Sequence, residues 1–445
     1  MTTPTAALLA WFQRTVPASA QERGAALWSF AYFFSLLAGY YVLRPLRDQM
    51  GIAGGVKNLP WLFTATFISL LVAQPLYGAL VAWLPRFRFI PIIYHFFVTN
   101  LFLFWLLLIF DIEKPIVARV FFVWVSVFNL FAVAVFWSFM ADLFTSEQGK
   151  RLFGFIGAGG TAGALLGPLV TIWLSLPLGP VNLLIAAAAF LEVAVFCVHR
   201  IERAADPPRE VEQRRQRIGG SAFAGLSALM RSPYLLGVAG WVSLLSFGAT
   251  IAYFAQANIV SATIHGAAAQ TRFFAGIDLA VGLLTLATQV FATASFLKRF
   301  GTGIAAAALP VTYVVGFAAL AMAPSLSIVV TLQVVQRWMN FAIANPARQV
   351  FFTVAGREEK YKAKNLIDVV VYRGSDAFYG WVYDSLQTLG LKLGAIALCA
   401  LPVAAGWVVL SIALGRTQER LATKADDRER PNGNPNDWPN DASRI

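Results

Sequence analysis

Few charged side chains interrupt the long apolar stretches of this chain, and those that do are of kinds that bind or exchange ions. Arg337, Asn340, Asn345 and Arg348 share one stretch, Asp368, Arg373, Asp376 and Asp384 another, and Asp278 lies in a third. Arg44, Arg47 and Asp48 close the first stretch. Arginine offers a planar fork of donors that fits a carboxylate or phosphate bidentately. Carboxylates in a desolvated setting can act as proton sites. Arg373 and Asp376 are three residues apart and pair along one helix face. Asp368, Tyr372 and Asp376, spaced by four, form one polar stripe. Asn340 and Arg348, three and eleven residues beyond Arg337, fall near the Arg337 face, and no carboxylate lies within one turn of Arg337 on its own segment. The chemistry this predicts is anion binding by Arg44, Arg47, Arg337, Asn340 and Arg373, with Asp48, Asp278, Asp368 and Asp376 as coupling or gating carboxylates. Glu192 reads as structural, and Gln74, Asn100 and Asn129 supply polar groups in the first half.

The segments that carry these residues must cross a membrane. Hydrophobic residues make up 58% of the chain and charged residues 13%, against about 25% charged in ordinary soluble domains. A bilayer core needs roughly 20 apolar residues as helix. Stretches that fit are about 25–45, 60–84, 90–110, 116–141, 153–176, 181–199, 234–258, 272–296, 303–322, 326–349, 365–389 and 393–414. In lipid only a helix satisfies its backbone within one segment, so each is a predicted helix. A charge at the centre of such a helix costs roughly 2.5–3.5 kcal/mol on insertion scales and therefore needs a partner, water or a ligand.

Cations are sorted between the loops. With the gaps numbered alternately from the N-terminus and cations near the end of a stretch assigned to the adjoining gap, one side holds 26 of the 35 Lys and Arg, the other holds 7, and Arg337 and Arg373 fall inside stretches. Lys and Arg resist translocation, which predicts a multi-pass protein of the inner (cytoplasmic) membrane with both termini in the cytoplasm. The net charge of +12 then reflects topology and contact with anionic lipid headgroups at the cytoplasmic loops, and nucleic acid is not an expected partner. Cys197 and Cys399 both lie in apolar runs, and His95, His199 and His265 are scattered, so neither a disulfide framework, a metal site nor a cofactor is expected. No paired nucleophile and base, and no metal-ligating carboxylate cluster, points to an enzyme.

The organisation follows from loop lengths. Residues 1–24 form a cytoplasmic segment without the pattern of a signal peptide, in which 6–16 could make a short interfacial helix. Residues 25–199 make a first six-helix bundle, 200–233 a basic cytoplasmic linker, 234–414 a second six-helix bundle, and 415–445 a disordered tail. The halves resemble each other at an offset of about 211 residues. Leu84-Pro85-Arg86-Phe87-Arg88-Phe89 corresponds to Phe296-Leu297-Lys298-Arg299-Phe300-Gly301, and Glu147, Arg151, Ile156 and Gly163 correspond to Glu358, Lys362, Ile367 and Gly374. With six spans per half the repeats run parallel, as in the two halves of major facilitator transporters. Gly159, Gly163 and Gly167, four apart and followed by Pro168, predict close helix packing. The glycine-rich run from Gly157 to Gly163 lacks the Lys-Ser/Thr ending and the preceding strand of a phosphate loop.

Three patches carry a family resemblance. They are Tyr41-Val42-Leu43-Arg44-Pro45-Leu46-Arg47-Asp48; Trp137-Ser138-Phe139-Met140-Ala141 with Lys150-Arg151-Leu152-Phe153-Gly154; and Lys362-Ala363-Lys364-Asn365-Leu366-Ile367-Asp368-Val369-Val370, followed by Arg373. They resemble the nucleotide (ATP/ADP) transporter family of plastids and intracellular bacteria. In that likeness Arg47 stands at a lysine and Arg373 at an arginine of the family pattern. The resemblance implies an all-α fold of twelve transmembrane helices in two pseudo-symmetric six-helix bundles, of major facilitator type. It also implies secondary active transport of a small anionic solute, nucleotide-like or another organic anion, by alternating access through exchange or ion coupling. Where the family has a small basic element this chain has Ser375-Asp376-Ala377, which disfavours a polyanion. The expected partner is a small-molecule solute, and the expected state a monomer. Proton-coupled symport or export of a different metabolite, and a non-transporting sensor or scaffold on the same fold, are the alternatives.

Overall fold

The computed structural model describes residues 22–83, 86–204, 229–354, 363–364 and 366–429. Among the described residues twelve long helical elements succeed one another: α1 (Glu22–Ala53), α2 (Leu59–Trp83), α3 (Arg86–Ile109), α4 (Lys114–Leu143), α5 (Ser146–Leu174), α6 (Leu183–Ala204), α7 (Pro233–Thr263), α8 (Ala267–Phe291), α9 (Thr293–Met322), α10, α11 and α12 (Leu393–Glu429). α10 is composite, with Leu326–Met339 continued by a π turn over Asn340–Ala344 and by Asn345–Phe351. α11 opens with π winding over Leu366–Val371 and becomes α-helical over Tyr372–Thr388. Eleven of the twelve are long and apolar enough to cross a membrane. The exception is α11, whose charges lower its hydropathy.

The helices begin where local chemistry caps them. Thr145 and Gln148 form a reciprocal capping box at the start of α5, which satisfies two otherwise unpaired N–H groups. Ser232 caps α7 and Ser325 caps α10, each through its side-chain oxygen. The turn between α1 and α2 needs Gly55, whose φ of 95° is costly for a residue with a Cβ.

Two apolar cores form. One collects residues of α1, α3, α4, α5 and α6, the other chiefly residues of α7, α9, α10, α11 and α12. The outer surface carries many large apolar side chains: Phe291, Trp173 and Met322 are 82%, 76% and 88% exposed. A soluble protein rarely leaves such a belt uncovered, whereas lipid covers it at no cost.

Helix pairing repeats between the halves. α1 packs on α4, α5 and α6 as α7 packs on α10, α11 and α12, and α3 meets α6 as α9 meets α12. Between halves, α2 packs on α11 and α8 on α5, the same pairing with the halves exchanged. The starts of α1, α4 and α6 at 22, 114 and 183 recur at 233, 326 and 393 in α7, α10 and α12, close to the 211-residue offset. A Cβ on Gly159 would lie 2.5 Å from the Phe30 carbonyl oxygen, and one on Gly167 2.7 Å from that of Ala38. The glycine row therefore lets α1 and α5 meet backbone to backbone, as its spacing predicts.

Several expected boundaries shift. α1 runs to Ala53, not to 45, so Arg44, Arg47 and Asp48 lie within the helix and not at its end. α9 begins at Thr293 and bends at Gly301, whose φ of 74° breaks the winding. α12 continues to Glu429, past the boundary at 414. Leu414 and Gln418, one turn apart and both buried, give that extension a packed face. The expected interfacial helix at 6–16, the arginines at 209–217, Glu358, Lys362 and the tail beyond 429 lie outside the described residues.

Candidate functional site

A cavity of about 490 Å³ lies between the two bundles, within the size range of small-molecule sites. Its walls come from α1, α2, α4, α7, α8, α10 and α11. Arg44, Arg47 and Asp48 enter from α1, Arg337 and Asn340 from α10, and Arg373 and Asp376 from α11. The sequence-predicted binding residues are thus brought together, although they span 329 positions of the chain from Arg44 to Arg373.

The charges are arranged in pairs. Asp278 of α8 accepts from the Arg337 guanidinium at 2.5 Å, and its other oxygen lies 3.8 Å from Arg44 Nε. The Asp278 side chain is 1% exposed. Arg44 belongs to the first bundle and Asp278 to the second, so this bridge crosses the interface. Arg47 donates to Asp48 at 2.7 Å, and the Tyr253 hydroxyl of α7 donates to the same carboxylate at 3.2 Å. Arg373 donates to Asp376 at 3.1 Å, as the three-residue spacing predicts, and Ser246 of α7 donates to the other oxygen. Four guanidinium groups therefore face three carboxylates.

Aromatic faces and unpaired polar groups complete the lining. Arg44 stacks over Tyr41, Arg47 over Phe122 and Arg373 over Tyr372, at 5.6, 5.1 and 5.3 Å, distances at which ring quadrupoles attract cations. The buried hydroxyls of Thr66 and Thr250 line the cavity with no protein partner. Gln336, next to Arg337, donates to Gln333 at 2.8 Å and accepts from Tyr313 at 2.7 Å.

Two placements differ from uninterrupted helical spacing for a shared reason. Asp368 does not line the cavity; it pairs with Arg348 at 3.1 Å. Arg348 likewise leaves the Arg337 face and bonds Asn345. Both predictions assumed uninterrupted 3.6-residue winding, and each helix contains a π turn between the paired positions, which rotates the turns before it against the turns after it. Such turns are enriched at functional sites. The absence of a carboxylate near Arg337 holds only along α10, since Asp278 reaches it from a neighbouring helix. Of the three amides noted in the first half, Asn129 lines the cavity and Gln74 and Asn100 do not. Glu192 meets His95 at 3.5 Å with both side chains about half exposed, away from the site. Ser246, Tyr253, Thr66 and Thr250 had no periodic signal. Gln333 could have been found, because it sits four residues before Arg337.

The cavity is closed unevenly. Taking the side where α1 starts and α12 ends as the terminal side, the named contacts between bundles cluster toward the opposite, distal side. Trp61 and Trp381 meet edge to face at 4.8 Å, Trp381 donates to Thr64 at 3.0 Å, and Phe63 packs on Tyr253 and Phe254. Toward the terminal side a second cavity of about 280 Å³ lies between α1, α5, α8 and α10, and Asp278 and Arg337 line it. The Asp278 bridge thus stands between a central chamber and a terminal vestibule.

No protein-family model matches the chain, and no curated protein matches it. Solved structures do. The nucleoside transporter NupG, in a point-mutant form, superposes with a TM-score of 0.62 at 14% identity, over 89% of this chain and 99% of that one. A bacterial homologue of the iron transporter ferroportin, in an inward-facing state, gives 0.62 at 11% identity over 89% and 100%. A bacterial homologue of the human lysosomal transporter Spinster, inward-facing and unoccupied, gives 0.54 at 12% identity over 93% and 100%. These likenesses show the fold: an all-α membrane architecture of major facilitator type.

Proposed function

We propose that this protein is a secondary active carrier that moves a small anionic solute through the central cavity by alternating access. One observation carries the reading: four arginines drawn from both bundles converge on a single chamber at the interface of two parallel halves. Burying cations in membrane helices is costly, and a planar anion is what guanidinium groups bind best. Major facilitator architectures work by rocking one half against the other around a midplane site. The distal contacts and the terminal vestibule support a conformation open toward the terminal side. The sorting of Lys and Arg supports placing that side in the cytoplasm, in the inner membrane, with anionic headgroups against the basic loops and the monomer as the working unit. Nucleotide-like and other organic anions are both covered by this reading, and exchange or ion coupling supplies the driving force.

Proton-coupled symport is the second reading. It is favoured by Asp376, a buried carboxylate on the cavity wall held by Ser246 as well as by Arg373.

The test is counterflow in proteoliposomes with labelled inorganic phosphate, carboxylates and nucleotides. Uptake of at least one anion is expected, with loss of about tenfold or more on Arg337→Ala or Arg373→Ala, matching the worth of a charged hydrogen bond. Unchanged uptake in both variants would reject the site. Alkalinisation of the medium on adding solute would favour the proton-coupled alternative.

A further inference from the structure

The ion pairs of the central cavity are arithmetically incomplete, and the imbalance specifies the cargo. Arg337 is paired with Asp278, Arg47 with Asp48 and Arg373 with Asp376. Arg44 is the fourth cation. Among the described residues the one carboxylate within 4 Å of it is Asp278, whose Oδ2 lies 3.8 Å from Arg44 Nε, beyond hydrogen-bonding distance, while its Oδ1 accepts from Arg337. The Arg44 side chain, which ends in five donors, borders the chamber and is 17% exposed. Four positive and three negative groups leave the chamber with one uncompensated positive charge.

We infer that the solute is an organic monoanion whose carboxylate or phosphodiester docks on Arg44, and that its single charge brings the loaded chamber to neutrality. The inference rests on the anion-carrier reading and narrows it. An uncompensated charge in a low-dielectric interior is costly, so a monoanion removes an existing penalty when it binds. A dianion would leave one unpaired negative charge beside Asp278, Asp48 and Asp376, and a polyanion such as a nucleoside triphosphate would leave several. The body of the solute is polar, because the chamber also offers the unpaired hydroxyls of Thr66 and Thr250.

The test measures melting temperature of the purified full-length protein in detergent, at constant ionic strength. The ligands are lactate, benzoate and 4-hydroxybenzoate as monoanions, malate and phthalate as dianions, ATP as polyanion, and benzamide as a neutral isostere. A ligand that binds the native state raises the transition by mass action. At least one monoanion is expected to stabilise the protein, at concentrations about tenfold or more below any effective dianion. Arg44→Gln is expected to abolish that response. Asp278→Asn, which raises the chamber to two uncompensated positive charges, is expected to move the preference toward dianions by about tenfold. Should Arg44→Gln fail to fold, Arg44→Lys keeps the charge and is expected to weaken the response without reversing the charge preference, and the wild-type ranking stands by itself. Stronger stabilisation by malate, phthalate or ATP than by every monoanion would overturn the single-charge assignment and leave the anion carrier intact. Response to benzamide alone, or to no anion, would overturn both.

Discussion

Asp278 is one carboxylate held between two guanidinium groups, and its surroundings make it the most sensitive residue of the site. It is 1% exposed, with Arg337 on one oxygen and Arg44 near the other. Removing one partner of a buried pair typically costs about 3–5 kcal/mol, because the remaining charge is stranded. Arg337→Ala and Asp278→Ala are each expected to lower the melting temperature sharply, and the double variant to recover part of the loss. Thermal unfolding across the four-member cycle checks this, and strictly additive losses would contradict a direct pair. Recovery of folding need not restore transport, since the anion would meet one arginine fewer. At this scale the sequence was legible where partners share a helix: the three-residue spacing of Arg373 and Asp376 predicts their bond. It was mute where partners lie on different helices. Nothing local to Arg337 points to a residue 59 positions earlier, and Tyr253 reaches Asp48 only because α7 packs beside α1.

Helix periodicity decides which residues share a face, and it fails where winding changes. The π turn at Asn340–Ala344 and the π-wound start of α11 explain why Arg348 and Asp368 pair with each other away from the chamber. A sequence pattern built on 3.6 residues per turn cannot anticipate an inserted residue. Glycine spacing was more legible. The row on α5 packs α1 against it, whereas Gly374, the 211-residue counterpart of Gly163, meets only the Phe67 ring at 3.4 Å. A Cβ at Gly163 would drive into the Phe34 carbonyl of α1. Gly163→Ala is therefore expected to destabilise by about 1–3 kcal/mol, the usual cost of overpacking, and Gly374→Ala to change stability by less than about 0.5 kcal/mol. Chemical or thermal unfolding of the two single variants in detergent measures the contrast. Equal effects would mean that the α1–α5 approach is not the tight one.

The whole molecule was the most legible level, because hydropathy and charge sorting act over hundreds of residues and average out local errors. The run count needed only the lengths of apolar runs, and the repeat offset the matched residues of two connections. What they could not supply was the conformational state, which depends on contacts between helices far apart in sequence. Orientation is open to a direct check in a background where Cys399 is replaced by serine. A cysteine at position 214 is expected to resist a membrane-impermeant maleimide in intact cells, and one at position 114, at the distal start of α4, to react. The reverse pattern would invert the membrane orientation and with it the assignment of the open side.

Rocking of the two halves can be stopped at the distal seam, where Trp61 of α2 meets Trp381 of α11. With cysteines at these two positions and Cys399 replaced, a short bis-methanethiosulfonate linker should fasten the bundles together in proteoliposomes. Counterflow of the anion that the wild-type vesicles accumulate is expected to fall to background once the linker is in place, and to return when a reductant cleaves it. Undiminished counterflow through quantitatively cross-linked protein would contradict transport by alternating access through the arginine-lined chamber.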